Sequence, residues 1–442
     1  MAKSFSITSL SAIWGRLNSS FWFVPAMMCA GAVGLSFLMI EVDTRLGVGT
    51  VSEFGLLYTF GPEGARAILS VIASSMITVA SLIFSITMLS LQLASSQFGP
   101  RVVENFMRDR SNQIVLGTFV ATFLYCLVVL RSVRGSGDLS FVPHLTVAFA
   151  VLLAAVGVAV LIYFIHHIAT SIRIETLLAE LAAEGCAAVD QLFPERLDHG
   201  PLHFEDESAA HRLPNDFDDD SERVSADTSG YVQNVGMDAL MRIATEHDLV
   251  LRIETPPGRF VTEGECMITA YPRDRVSDEI ADSLRGVLVI GRDRSVNQDL
   301  EFAIRRIVEL AQRSLSPGIN DPTTALYCID RLGEVFGRLS GRDLPSPIRY
   351  DEAGQLRILT EVIVIEELAY NAFSAIARYG ISDVDVVRRL VDTIGKLSRS
   401  FSPAAREAIM TLNEQVLIAS ENNVSLNFDR KALQELLRGQ EL

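Results

Sequence analysis

Four stretches in the first third of the chain, residues 21–40, 68–93, 114–130 and 141–165, run without a single Asp, Glu, Lys or Arg. A helix rises about 1.5 Å per residue, so each is about long enough to cross a hydrocarbon core roughly 30 Å thick. Phe21, Trp22, Phe23 and Tyr163 stand near the ends of these stretches, where ring side chains favour the membrane interface. The pattern predicts four transmembrane helices. Ala30-Gly31-Ala32 has the look of a signal-peptide cleavage site, but the apolar run continues to Ile40, which predicts an uncleaved anchor.

Within the second stretch the polar positions are sorted. At about 100° of rotation per residue, Ser70, Ser74, Thr78, Ser81, Ser85, Gln92 and Ser96 fall in a wedge roughly 80° wide. Ile72, Val79, Ile83, Ile86 and Leu93 fill much of the remainder. Hydrocarbon gives a helix no reason to sort its polar groups, so this face is expected to meet water or another helix. In one reading, several copies surround an axis and Ser74, Thr78, Ser81, Ser85, Gln92 and Ser96 line a pathway. In the other, the small hydroxyls only let helices pack closely, as Ala26, Ala30 and Gly34 do on the first stretch.

Beyond residue 165 the pattern changes three times. Residues 166–197 continue as a helix with Ile174, Leu177, Leu178, Leu181 and Val189 on one face, which predicts a stalk or an amphipathic helix packed on its own domain. Residues 198–228 carry ten acids against Arg212 and Arg223 and have almost no apolar periodicity, so they read as a solvated linker. From 229 to 294 the period shortens to short strands at 231–235, 249–254, 266–271 and 287–290, with helices at 237–247 and 277–284 and turns at Pro256-Pro257-Gly258 and Glu263-Gly264. From 295 to 442 the spacing is helical, with one helix expected to begin at Leu359 and a last one near 431–437. The predicted fold is therefore a mainly α membrane protein: a four-helix transmembrane domain at 1–165, then a cytoplasmic part with a small α+β module and a C-terminal helical bundle.

Composition narrows the function classes. Hydrophobic residues make up 49% of the 442-residue chain and charged residues only 21%, which excludes an ordinary soluble enzyme. The formal charge of −16 argues against a nucleic-acid partner, which needs a basic footprint. Five cysteines, with Cys29 and Cys126 inside apolar stretches, give no disulfide framework. Arginine placement, with Lys3, Arg16, Arg101, Arg108 and Arg110 on one side against Arg45, Arg66, Arg131 and Arg134 on the other, predicts both termini in the cytoplasm.

Three motifs are candidates for chemistry. Ser95-Ser96-Gln97-Phe98-Gly99-Pro100-Arg101 ends the second helix in a sharp stop, after which Arg101, Arg108 and Arg110 are placed to touch lipid phosphates or to ring a cytoplasmic mouth. In Leu315-Ser316-Pro317-Gly318-Ile319-Asn320-Asp321-Pro322, Asp321 before Pro322 reads as a helix N-cap, with a ligand or subunit contact as the alternative. His199, His203 and His211 lie among acids, but at no spacing a metal requires. No phosphate loop, dinucleotide fingerprint or nucleophile elbow is present, so no enzymatic activity, cofactor or metal is expected.

The run from Leu91 to Arg101, with Phe84-Ser85-Ile86-Thr87, Asp109-Arg110, Gly117-Thr118-Phe119 and the segment from Leu315 to Pro322, resembles the bacterial family of predicted membrane proteins catalogued as domain of unknown function 2254. The resemblance implies a bacterial inner-membrane protein and transfers no catalytic or binding residue. The expected function is that of a homo-oligomeric channel or channel-like transport protein. The expected partners are the lipid bilayer, further copies of the chain and a small ion or solute. The other reading is a membrane-anchored sensor or scaffold whose cytoplasmic part binds a partner.

Overall fold

An apolar helix satisfies its own backbone and packs through side chains alone, and the described part of the first unit, Met1–Arg173, holds four such helices with their charges kept near the ends. The computed structural model describes residues 22–51, 61–98, 110–135, 141–171, 173–195, 213–361, 363–401, 403–423 and 431. Helices α1 (Phe23–Val51), α2 (Pro62–Phe98), α3 (Arg110–Ser132) and α4 (His144–Ser171) contain the four segments apolar and long enough to span a membrane, Phe23–Arg45, Pro62–Leu93, Arg110–Ser132 and His144–Ile168.

Helix α3 packs against the other three. Half of its apolar window is buried, against 6% of that of α1, whose residues are mostly half-buried or exposed. Helix α2 buries Ala65, Leu69, Ala73, Met76, Ala80 and Ile83, a three-and-four spacing that marks one face. Gly117 lets α1 approach, since a Cβ there would stand 2.5 Å from Met28 Sδ and 3.2 Å from the Pro25 backbone.

Polar contacts fix the alternation of the helices. The Asp43 carboxylate, near the end of α1, accepts from the backbone N–H groups of Leu145 (3.1 Å) and Thr146 (2.8 Å) and from the Thr146 hydroxyl, capping α4. At the same end Arg66 donates to the Val133 carbonyl at 2.8 Å and Tyr125 to the Thr146 carbonyl at 3.1 Å. At the opposite end the Tyr163 hydroxyl lies 3.3 Å from that of Ser111.

The second unit, Ile174–Leu442, is described by itself. Helix α4 ends at Ser171 and a separate helix, α5 (Ile174–Leu192), begins the unit. The stalk reading is thereby corrected in favour of the packed amphipathic helix. Leu177, Leu178, Leu181, Ala182, Gly185, Ala188 and Val189 are buried, and α5 lies on α8 (Leu300–Ser314) and α9 (Pro322–Ser340). Asp190 of α5 accepts from Arg338 at 2.8 Å, and Glu184 from Arg306.

A five-stranded sheet of order β1-β5-β3-β8-β7 and a three-stranded sheet of order β4-β2-β6 share one core with α6 (Met237–Glu246) and α7 (Asp278–Arg285). The strands are β1 (Glu222–Ser225), β2 (Gly230–Val235), β3 (Val250–Ile253), β4 (Phe260–Val261), β5 (Cys266–Tyr271), β6 (Leu288–Gly291), β7 (Ile348–Tyr350) and β8 (Leu356–Leu359). The strands and helices expected between 229 and 294 are present.

Two expectations fail. The acidic stretch is not solvated throughout: β1 pairs antiparallel with β5, and Phe217, Ser221, Val224 and Ala226 are buried while Asp216, Asp218, Asp219 and Asp220 stay exposed around Phe217. Arg252 stands over the Phe217 ring, 5.0 Å from its centroid, so a few apolar side chains anchor a strongly charged segment. Residues 196–212 of the expected linker, His199, His203 and His211 among them, lie outside the described residues.

The region beyond 295 is also not helical to the end. Ile348–Tyr350 and Leu356–Leu359 form a hairpin around Asp351, whose carboxylate accepts from the backbone N–H groups of Ala353 and Gln355, and Gly354 takes φ +75°. Strand β8 runs parallel to β3, with Leu251 opposite Ile358. Helix α10 therefore starts at Ile365 rather than Leu359, and α11 (Val384–Ser398) and α12 (Pro403–Asn423) follow. Of the last expected helix, 431–437, only Lys431 is among the described residues.

Candidate functional site

The seam-forming face of α2 and its polar stripe are different faces. Ser70, Ser74, Thr78, Ser81, Ser85 and Gln92 are all exposed on the flank of the first unit, while Ala73, Met76, Ala80 and Ile83 face its own helices. The stripe is thus not used to pack α2 within one copy. The side chain of Ser96 and all of Arg101 and Arg108 lie outside the described residues. Arg110 is described; it opens α3 and is exposed.

The hydroxyls of the stripe are satisfied along their own helix. Thr78 donates to the Ser74 carbonyl at 2.8 Å, Ser81 to Ile77 at 3.0 Å, Ser85 to Ser81 at 2.9 Å and Ser74 to Val71 at 3.1 Å. Each oxygen keeps acceptor capacity outward, since a hydroxyl has two lone pairs besides its single proton. Such a face tolerates an apolar neighbour and still presents oxygens to a cation or to water. The exposed small face of α1, where a Cβ added at Gly31 or Gly34 would touch nothing within 4 Å, is a second unpacked surface of the same unit.

The motif from Leu315 to Pro322 resolves as expected for a cap. Asp321 accepts from the Thr324 backbone N–H at 3.2 Å and from its hydroxyl at 2.6 Å, and Pro322 opens α9. Asn320, in the left-handed region at φ +50°, completes the turn, and Ile319 at its tip is exposed.

In the second unit the charged clusters are architectural. Arg357, almost fully buried, donates to Asp351 and to Asp248, both at 2.7 Å, tying β8 to the β7–β8 turn and to the loop before β3. Hydrogen bonds from Arg338 hold the Asp190 carboxyl below its ordinary range, those from Arg357 do so for Asp248, and the backbone N–H of Gln355 with Arg357 does so for Asp351. Burial pushes the Cys328 thiol far up, so it stays a neutral core side chain. A cavity of about 580 Å³ is lined by Asp190, Phe193, Glu195, Arg342, Ser346 and Arg349, and its buried arginine, Arg342, is already matched by Asp190 and Glu195. Among the described residues no three His, Cys, Asp or Glu side chains gather as a metal site would need. The sequence reading missed Asp43, whose signal was a carboxylate just past the end of an apolar run, beside a Glu41 that pairs with Arg45.

The sequence profile of the predicted membrane proteins called domain of unknown function 2254 matches residues 18–396. Uncharacterized proteins of Mycobacterium tuberculosis and Mycobacterium bovis are each 31% identical to the chain, over 97% of it and 82% of their own length. No solved structure matches.

Proposed function

We propose, from the premise that the chain belongs to the family of predicted membrane proteins designated domain of unknown function 2254, that it is a homo-oligomer of the bacterial inner membrane whose α2 helices line a passage for a small ion or solute. The observation that carries this reading is the position of the stripe. Ser74, Thr78, Ser81, Ser85 and Gln92 point away from the subunit's own seam, so a second copy or water is what gives them a polar neighbour. Both termini and the second unit are assigned to the cytoplasm. Flux of K⁺, Na⁺ and Cl⁻ from liposomes holding the purified chain, beside its mass in nanodiscs, tests the proposal. Flux from an oligomer supports it, and a monomer, or an oligomer with no flux, removes it.

A second reading is favoured by the closed hydroxyl–carbonyl pairs along α2, which need no water. In that reading the stripe is a packing face, the four helices anchor and dimerise the chain, and the second unit binds a partner. An assembled but non-conducting protein is its signature.

A further inference from the structure

The charges of the membrane unit are divided unequally between its two ends. One end, made by the C-terminal parts of α1 and α3 and the starts of α2 and α4, carries Glu41, Asp43 and Glu63 with Arg45, Arg66, Arg131 and Arg134, and several of these are engaged: Arg45 with Glu41 at 2.8 Å, Asp43 with the start of α4, Arg66 with the Val133 carbonyl. The other end, made by the start of α1, the end of α2, the start of α3 and the end of α4, carries Arg110, His166, His167 and Arg173 and, among the described residues of this unit, no acid, the nearest described one in the chain being Glu175, which follows Arg173 in the first turn of α5. Arg110, His166 and Arg173 are exposed.

Aromatic side chains mark the same end. Trp22 is 60% exposed beside the start of α1, and Tyr163 is 50% exposed, stacked on His167 with ring centroids 5.6 Å apart and 10° between the planes. The Tyr163 hydroxyl reaches Ser111, the neighbour of Arg110, at 3.3 Å. Exposed rings that hold an apolar body and a polar tip at one depth, beside exposed arginines, are what the headgroup layer of an anionic leaflet favours.

From this we infer that the Arg110–Ser111–Tyr163–His167 end of the membrane unit is a binding surface for anionic phospholipid headgroups, with Arg110 and Arg173 facing the phosphates and Tyr163 and Trp22 setting the depth. The inference rests on the membrane reading of the four helices but not on the passage, so it stands or falls apart from conduction. Each cation at an anionic surface is worth a factor of about five in local lipid affinity.

The chain has two tryptophans, so Trp14→Phe leaves Trp22 as a single reporter at this end. Reconstituted in mixed vesicles, Trp22 fluorescence is quenched with brominated phosphatidylglycerol or, separately, with brominated phosphatidylcholine at the same mole fraction. The anionic lipid is expected to quench several-fold more efficiently. This ratio is expected to fall toward one in Arg110→Gln/Arg173→Gln and to hold in Arg131→Gln/Arg134→Gln at the other end. Raising the salt on the unsubstituted arginines lowers the ratio as well, a readout that needs no folded variant. Equal quenching by both lipids, a ratio indifferent to salt, or a preference that survives the Arg110/Arg173 double variant overturns the inference.

Discussion

Arg357 is held between two carboxylates, and Asp351 beside it is only 6% exposed at its side chain. Removing the guanidinium leaves a buried carboxylate without its counter-charge, which costs far more than the pair itself contributes. Arg357→Ala should lower the thermal midpoint of the second unit by several degrees, and pairing it with Asp351→Asn should recover part of the loss; calorimetry of both variants reads this. The same carboxylates set an acid limit. Asp190, Asp248 and Asp351 have folded values below the ordinary 3.8, so their stabilisation is fully present above that pH and is lost as pH falls through the depressed values. Denaturant midpoints should therefore be flat from neutral pH down to the carboxylate range and fall below it, with a shallower fall in Arg357→Ala.

Helix α2 is where the candidate site was most legible in the sequence, because a period of 3.6 in both the apolar and the hydroxyl positions reports two faces of one helix whatever surrounds it. What the period cannot report is which face meets the chain's own helices. The structure gives that role to Ala65, Leu69, Ala73, Met76, Ala80 and Ile83. Substitution at Ser81 or Ser85 is therefore expected to leave the isolated subunit folded. Ser81→Leu and Ser85→Leu should abolish flux with assembly intact if the stripe lines a passage; lost assembly with no flux ever detected points instead to a packed seam. Gly117 is the contrasting position. Gly117→Val drives a side chain into Met28 and the Pro25 backbone and should destabilise the α1–α3 contact by about 1–3 kcal/mol, seen as a lower melting temperature in detergent. The hairpin of β7 and β8 was not legible, because Leu359, Val362, Ile365 and Leu368 sit at helical spacing in the sequence and only the turn at Asp351 and Gly354 separates strand from helix. Phe217 escaped for a similar reason, one ring among five acids giving no period.

At the scale of the whole molecule, the four spans were legible because length and lack of charge suffice, whereas the packing of the second unit depends on contacts between distant residues. Cysteine labelling of intact cells should place 101–111 and the residues after 166 in the cytoplasm, and periplasmic labelling of 198–212 would reverse the assignment. The joining of β3 to β8 has a consequence for how the chain is made. Strand β3 is flanked by β5, already synthesised shortly after it, and by β8, which follows only after α8 and α9. On the ribosome the edge of β3 stays open while the α8–α9 pair emerges, which leaves those helices free to dock on the earlier α5 before the sheet can close. A nascent chain stopped at residue 340 should accordingly resist protease over 174–192 and 300–340 while remaining cleavable beside β3, and release of residues up to 361 should end that vulnerability in one step.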